Sequence, residues 1–442
     1  MLDLANTDKP LRIGLAGLGT VGGGLVELLE KNATLIRRRT GRSIELVCAL
    51  VRSVNKPRSV ELPDSCHVTA NPAELVDNPD IDVVVELMGG IDAARSLIEG
   101  ALRNGKHVVT ANKALLAEEG IDLLRLAKEK NLILRYEAAV AGAVPIIEAL
   151  RVPLAGQRLV SVQGILNGTS NYILSEMSTN GLDFDTALKQ AQALGYAEAD
   201  PTLDIDGQDA AHKLTLLIRL AFGVNYPYTV LPVQGIRGMD ARDIAMAREF
   251  GYRIKLLAEV KRVNLDEGDE GPIRLVAGVY PVLVHHTYLL ARVGGVYNAV
   301  RVESESAGSL FFHGRGAGSL PTASVVLGDL LAVARDARPN NTGFADENIP
   351  RAAIVPPDDC LAKYYVRVMV PDTPGVLRDL AGCMAREGIS MEQVIQRSSV
   401  GEHVVPLVFM THEASSLAMK TALQHAMDTG LLHKPAVCYR VL

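Results

Sequence analysis

The chain has no excess of basic charge. Its 45 lysines and arginines stand against 51 aspartates and glutamates, for a net charge of −6. A nucleic-acid-binding face needs clustered positive charge, so no nucleic-acid partner is expected. Long apolar runs are also missing, and the opening MLDLANTDKP lacks the basic-then-apolar pattern of a secretory signal. The expectation is a cytoplasmic protein with no membrane partner. Cysteines are few and scattered (Cys48, Cys66, Cys360, Cys383, Cys438), and none forms a C-x-x-C pair. That argues against a zinc site or a disulfide frame, fits a reducing compartment, and predicts five buried small hydrophobes. Aromatic residues make up only 4% while glycines number 39, the balance of an α/β protein with many tight turns.

At 442 residues the chain exceeds one ordinary hydrophobic core, and two or three domains are expected. Short apolar runs at 11–16, 44–51, 81–87, 107–110 and 132–134 alternate with helical stretches, the pattern of a parallel, doubly wound sheet. From about residue 156 the texture changes to α+β. Strands are predicted at 158–166, 273–284 and 296–302, with a helix over 183–194 that has Asp183 as N-cap and Gly195 beyond its end. Residues 331–360 are rich in Pro, Asn and Asp, and read as a linker. Beyond them, strand–helix–strand–strand–helix–strand predicts a ferredoxin-like module independent of the rest, with strands at 391–398 and 403–410 and a helix at 414–428.

The firmest local motif is Gly17-Leu18-Gly19-Thr20-Val21-Gly22, after a strand and opening a helix. Glycines there permit a tight turn and close backbone approach, while the helix N-terminus faces a pyrophosphate. A glycine-rich structural turn is the plain alternative. The second strand ends in Val51-Arg52-Ser53 with no acid to hold a ribose hydroxyl. An arginine there suits a 2′-phosphate and favours NADP(H), with NAD(H) still open; otherwise Arg52 is a solvated surface residue. Lys113 follows the fourth strand, where ligands meet an open sheet, and reads equally as an exposed helix-start lysine.

The segment GYAEADPTLDIDGQDAAHK (195–213) carries Glu198, Asp200, Asp204, Asp206 and Asp209, then Lys213. Part of it has a structural explanation. Asp206 reads as an N-cap, Asp209 and Lys213 as an i,i+4 ion pair, and Ala211, Leu214, Ile218 and Ala221 as the buried face of a helix. That leaves the loop acids unexplained. Like charges so close need cations, which a lysine and a substrate ammonium would supply. A hydride-accepting carbonyl also needs a proton at its oxygen, and a positioned lysine can deliver one. Two further loops resist a bland reading. One is the polar stretch 164–172, able to bind a carboxylate; the other is 312–318, either a second backbone approach to a cofactor or a turn.

With these residues in view, the chain resembles the homoserine dehydrogenases, in the monofunctional form with a C-terminal ACT domain. GLGTVG, ELMGG, TANKALLA, GILNGTSNYIL, GYAEADPTLDIDGQDAAHK and GRGAGSLPTAS occur in the family's order, across essentially the whole chain. The resemblance implies a Rossmann-type doubly wound sheet over 1–155, completed by a returning segment near 310–335. It implies an α+β substrate and dimerisation domain over 156–309, a linker at 336–360, and a ferredoxin-like ACT domain over 361–442. The implied activity is NAD(P)-dependent interconversion of L-homoserine and L-aspartate 4-semialdehyde. Lys213 is then similar to the family's proton-transferring lysine, with Lys113 and Asp209 beside it. Glu198, Asp204, Lys113, Thr169 and Tyr172 would hold the substrate. Cofactor contacts are implied at Gly17, Leu18, Gly19, Thr20, Val21, Gly22, Arg52, Gly90, Lys113 and Gly316. A sodium-like cation site is implied at Glu137, Val140, Gly142 and Val144, in a run less glycine-rich than in many relatives because of Ala141 and Ala143. The turn at Asp372, Gly375 and Val376 is similar to an ACT effector site and suggests threonine feedback, with a purely structural dimerisation module as the alternative. A homodimer or homotetramer is implied. Two rivals stand: a dehydrogenase of another amino or semialdehyde acid, and a non-catalytic ACT protein that senses a cofactor and an amino acid.

Overall fold

The computed structural model describes residues 9–58, 60–263, 272–335, 339–345, 349–356, 358, 360–396 and 403–442. The chain divides into two compact units. One comprises Met1–Gly168, Asp209–Leu231 and Val296–Ala352; the other comprises Thr169–Gln208, Pro232–Gly295 and Ala353–Leu442.

The first unit is built on six parallel strands: β1 (Leu11–Ala16), β2 (Ile44–Leu50), β3 (His67–Thr69), β4 (Val83–Glu86), β5 (His107–Thr110) and β6 (Leu134–Arg135). Their order is β3-β2-β1-β4-β5-β6, which reverses direction between β1 and β4. Helices cover such sheets on both faces, so the strands read as unbroken apolar runs. Ile13, Leu15, Val83, Val84 and Val85 are all fully buried. Strand β3 escapes sequence reading because three residues are too few to show a period. The helix Ser319–Arg335 returns to this unit and shares a core with the helix Thr20–Lys31, through Ala323, Val326 and Leu330 against Leu25 and Val26. The two meet closely: Ser319 Oγ donates to the Thr20 carbonyl at 2.7 Å, and a Cβ on Gly24 would lie 2.5 Å from that Oγ.

An antiparallel set, Leu159–Ile165, Tyr297–Ser304 and Gly308–Arg315, belongs to the same unit. So does the helix Gln208–Phe222 from Asp209 onward. This helix is not amphipathic, as its spacing predicts, but buried almost all round. Ala211, Leu214 and Ile218 are inside, Ala221 is half-buried, and the polar Asp209, Lys213 and Arg219 are inside as well. A helix enclosed on all sides must satisfy its polar groups locally. Arg219 does so by donating to the carbonyls of Leu116 and Ala117.

In the second unit Tyr252–Arg262 pairs antiparallel with Arg274–His285. The helix Phe184–Ala193 begins as predicted, Asp183 Oδ1 accepting the Thr186 N–H at 2.9 Å, with Gly195 left-handed beyond its end. The C-terminal module orders its strands Val437–Val441, Leu361–Pro371, Val404–Thr411, Met391–Gln396. The helices Val376–Arg386 and Ser416–Asp428 pack on them over Val366, Val368, Leu380, Met384, Phe409 and Ala422. The predicted end of the strand at 397–398 lies outside the described residues.

Two sequence expectations are corrected here. The C-terminal module is not independent. Its edge strand Val437–Val441 continues in parallel onto Arg274–His285, with Arg440 opposite Val282, because an open edge of unpaired N–H and C=O groups finds a partner. Arg367 adds an anchor. Its guanidinium reaches both carboxylate oxygens of the fully buried Asp243 at 2.6 and 2.8 Å, while the Tyr365 hydroxyl donates to the same group at 2.8 Å. The second correction concerns the linker at 336–360, of which 336–338, 346–348, 357 and 359 lie outside the described residues. Its described part is built in rather than loose. Asn341 is fully buried, accepts the Leu134 N–H at 2.9 Å, and closes the end of β6. Ala353–Ile354 pairs with the strand Arg274–His285.

The cysteines are all free; Cys48 and Cys383 are buried, but Cys66, Cys360 and Cys438 are half-buried, not fully buried as their scatter predicts. Among the described residues no helix is long and apolar enough to cross a membrane.

Candidate active site

The glycine fingerprint links β1 to the helix Thr20–Lys31, and its three glycines have three different reasons. Gly17 is left-handed (φ +103°), and a Cβ there would stand 2.6 Å from the Leu87 carbonyl oxygen beyond β4. Gly22 packs on the turn itself, since its Cβ would fall 2.0 Å from the Gly17 oxygen. Gly19 is different: nothing lies within 4 Å of where its Cβ would be. The first and third glycines therefore shape the turn, while the second leaves open space at the N-terminus of a twelve-residue helix. Such a cradle, at the reversal point of the sheet, fits a dinucleotide pyrophosphate. Gly89 and Gly90, beyond β4, are both left-handed and equally open. Arg52 lies exposed just past β2.

Next to this cradle the ends of β4 and β5 are tied together. Glu86 accepts the Thr110 hydroxyl at 2.6 Å and the Met88 N–H at 2.8 Å. Asn112 caps the helix Lys113–Glu129 by accepting the Leu115 N–H, and donates to the Gly90 carbonyl at 2.6 Å. These contacts set the root of Lys113. Its Nζ reaches Asp209 Oδ1 at 2.8 Å, while the other oxygen of the same carboxylate receives Lys213 Nζ at 2.6 Å. Lys213 also donates to the Leu166 carbonyl at 2.7 Å, and Asn167 donates to Asp209 at 2.8 Å. One carboxylate thus joins two lysines.

Asp209 and Lys213 are buried, whereas the Lys113 side chain is 42% exposed. Burial alone would raise the Asp209 carboxyl, but Lys213 and Lys113 outweigh it and hold the group well below the usual carboxylate range. The pKa of neighbouring His212 is lowered too, but chiefly by burial, which disfavours its charged form. Sequence reading finds Lys113, Asp209 and Lys213, but it assigns nothing to Glu86, Thr110 or Asn112. Of these only Asn112 carries a readable sign, an Asn directly before an apolar helix.

The remaining acids of the segment lie in the second unit and do different things. Asp200 Oδ1 accepts the Thr202 N–H at 3.1 Å, starting the short helix Thr202–Ile205. Asp206 is not the N-cap that its position predicts. It closes that short helix in right-handed conformation, and its carboxylate takes the forked guanidinium of Arg237 at 2.8 and 2.9 Å. A bidentate arginine outcompetes capping for the side chain. Glu198 is exposed and Asp204 half-buried, its carbonyl accepting the Ser170 hydroxyl at 2.8 Å. Thr169 donates to the Tyr196 carbonyl at 2.6 Å, and the Tyr172 and Tyr196 rings meet edge-on at 5.1 Å.

In the first unit, Glu137 is buried and accepts the N–H groups of Ile147 and Glu148 at 2.9 and 2.7 Å. Burial, then the nearby Asp329, pushes its carboxyl up to about 7. The loop after it turns through two left-handed residues, Ala141 and Gly142, and a Cβ on Gly142 would collide with the Gly316 backbone. Val140 and Val144 flank that turn and are buried; the Val144 carbonyl accepts the Ile146 N–H at 2.8 Å. Among the described residues no group of three or more His, Cys, Asp or Glu is arranged for a metal ion. A carboxylate and backbone carbonyls offer only oxygen donors, which suit hard cations. In the C-terminal module, Gly375 is left-handed (φ +101°) at the head of the helix Val376–Arg386. Asp372 accepts the Gln396 amide at 3.3 Å.

Comparison with known proteins gives concordant matches. The family model described as homoserine dehydrogenase matches residues 145–331, that of the homoserine dehydrogenase NAD-binding domain residues 17–137, and that of the ACT domain residues 364–425. The chain is 43% identical over 439 residues to a homoserine dehydrogenase of Neisseria gonorrhoeae, covering 98% of this chain and 99% of that one. A homoserine dehydrogenase structure from Thiobacillus denitrificans superposes with a TM-score of 0.91 at 40% identity, over 98% of this chain and 99% of that one. A hyperthermophilic archaeal homoserine dehydrogenase in complex with NADPH superposes with a TM-score of 0.60 at 27% identity, over 73% of this chain and 97% of that one.

Proposed function

The chain belongs to the homoserine dehydrogenase family, and from that premise we propose how its residues divide the work. It is an oxidoreductase with a nicotinamide-cofactor-binding domain, a catalytic domain and an ACT domain. A non-catalytic sensor is not favoured, since a sensor has no need of two lysines joined through one buried carboxylate. We propose the reaction as the interconversion of L-homoserine and L-aspartate 4-semialdehyde. A nicotinamide cofactor held at the turn 17–22 would supply the hydride chemistry. Lys213 exchanges the proton at the substrate oxygen, giving it up when the aldehyde is reduced and taking it when the alcohol is oxidised. Asp209 and the Leu166 carbonyl hold Nζ in one place, the positioning that proton transfer requires, which supports the assignment.

Lys113, half-exposed beside the cofactor cradle, holds substrate near the cofactor. Glu198, Asp204, Thr169 and Tyr172 hold the amino alcohol. The division at 1–155, 156–309 and 361–442 is the functional one, with the segment 310–335 completing the first part. Gly17, Leu18, Gly19, Thr20, Val21, Gly22, Gly90 and Gly316 contact the cofactor. Arg52 meets the 2′-phosphate and biases the enzyme to NADP(H). Glu137 with the carbonyls of Val140, Gly142 and Val144 would hold a sodium-like ion. Asp372, Gly375 and Val376 receive threonine, and the enzyme works as a homodimer or homotetramer in the cytoplasm.

The observation that carries the reading is the single Asp209 carboxylate bridging Lys113 and Lys213. L-homoserine added with NADP+ should raise absorbance at the reduced-nicotinamide band, and more slowly with NAD+. No rise with either cofactor would overturn the reading.

A further inference from the structure

A cavity of about 380 Å³ lies wholly in the second unit, apart from every residue assigned above. Strand alternation aims Arg253 and Lys255, two apart on Tyr252–Arg262, to one side of the sheet, where both line this space. Ser175 and Ser178 face it from the helix Gly168–Asn180, and His286 and Arg292 close it. Its lining contains two arginines and a lysine, hydroxyl donors and no carboxylate.

Lys255 is the unusual member. It is only 5% exposed, and its Nζ donates to Asn171 Oδ1 at 3.1 Å and to the Val293 carbonyl at 2.6 Å. Among the described residues no acid pairs with it, although buried charges are normally paired. Burial, and then the like charge of Arg253, lowers its pKa to about 8. Arg253 donates to the Ser178 hydroxyl at 2.5 Å, and Arg292 to the His286 carbonyl at 3.4 Å; neither is ion-paired among the described residues. Such a cluster repels itself unless an anion joins it. Guanidinium forks beside a hydroxyl suit tetrahedral oxyanions, and the volume is that of a small-molecule site.

We infer that this cavity is a binding pocket for a small phosphate-bearing anion, held by Arg253, Lys255 and Arg292 with Ser178. Its occupant is recognised by a phosphate group and is separate from the substrate and the nicotinamide cofactor.

The test is calorimetry on the full chain with saturating NADP+, which also fills the position assigned to Arg52, titrated at constant ionic strength with inorganic phosphate and then glycerol 3-phosphate. Saturable binding is expected with both, weakened at least tenfold by Arg253→Gln and by Arg292→Gln. Arg292 is exposed, so its variant keeps the test valid if changes at the buried Lys255 disturb folding. No binding above a chloride control would overturn the proposal. Equal affinity in both variants, or tighter binding of succinate than of either phosphate compound, would do the same.

Discussion

Lys213 donates to Asp209 and to the Leu166 carbonyl, and Asp209 in turn meets Lys113, Lys213 and Asn167, so the centre of the site is a hydrogen-bonded unit and not three separate side chains. Removing the charge of Asp209 leaves a buried lysine facing an amide. Breaking a buried pair in this way destabilises by about 3–5 kcal/mol. Asp209→Asn should therefore lower the denaturation midpoint as well as kcat, which urea melts and steady-state rates would read. The pH dependence has a definite sign. Because the folded Asp209 carboxyl lies below its unfolded value, its contribution is complete above about pH 4 and fades as pH falls beneath that. Wild type should lose stability over that acid range, and Asp209→Asn should lose less.

The i,i+4 spacing makes the Asp209–Lys213 pair legible in the sequence. Lys113 could be suspected from its place after a strand, yet nothing local showed that it shares the same carboxylate. Asp206 departs from its N-cap expectation for a related reason: Arg237, its actual partner, lies outside any local window.

Among the elements, the glycine turn separates shape from binding. Gly19→Ala adds a methyl where nothing stands within 4 Å, so the fold should melt as wild type while the cofactor dissociation constant rises at least tenfold. Gly17→Ala forces a side chain into a left-handed turn against the Leu87 carbonyl, and should lower both stability and cofactor affinity. Thermal melts with cofactor titrations distinguish the two. The parallel strands were readable because burial on both faces makes them continuous apolar runs; β3, only three residues long, offered no such run. The helix Gln208–Phe222 looked one-sided from its apolar spacing, but its arginine and lysine reach backbone carbonyls and sit inside. Composition does not reveal polar groups satisfied at a distance.

On the scale of the whole chain, the C-terminal module is joined to the rest of the second unit by backbone pairing with the strand Arg274–His285 and by the buried contact of Arg367 with Asp243 of the helix Ala241–Glu249. Strand pairing across modules leaves no mark in either segment's own pattern, which is why the module read as independent. Asp243→Asn should destabilise the second unit by about 3–5 kcal/mol, read by denaturant melts. If threonine acts at the turn near Gly375, Asp372→Ala should weaken its inhibition while leaving the uninhibited kcat unchanged.

Proton transfer by Lys213 is the centre of the proposed reaction, and the most direct measurement pairs kcat for homoserine oxidation with the cofactor dissociation constant in Lys213→Ala. The predicted result is a loss of about 10²–10⁴-fold in kcat, the range for a missing general acid–base, with cofactor affinity within twofold of wild type. A kcat near wild type, or a parallel collapse of cofactor affinity, would contradict it.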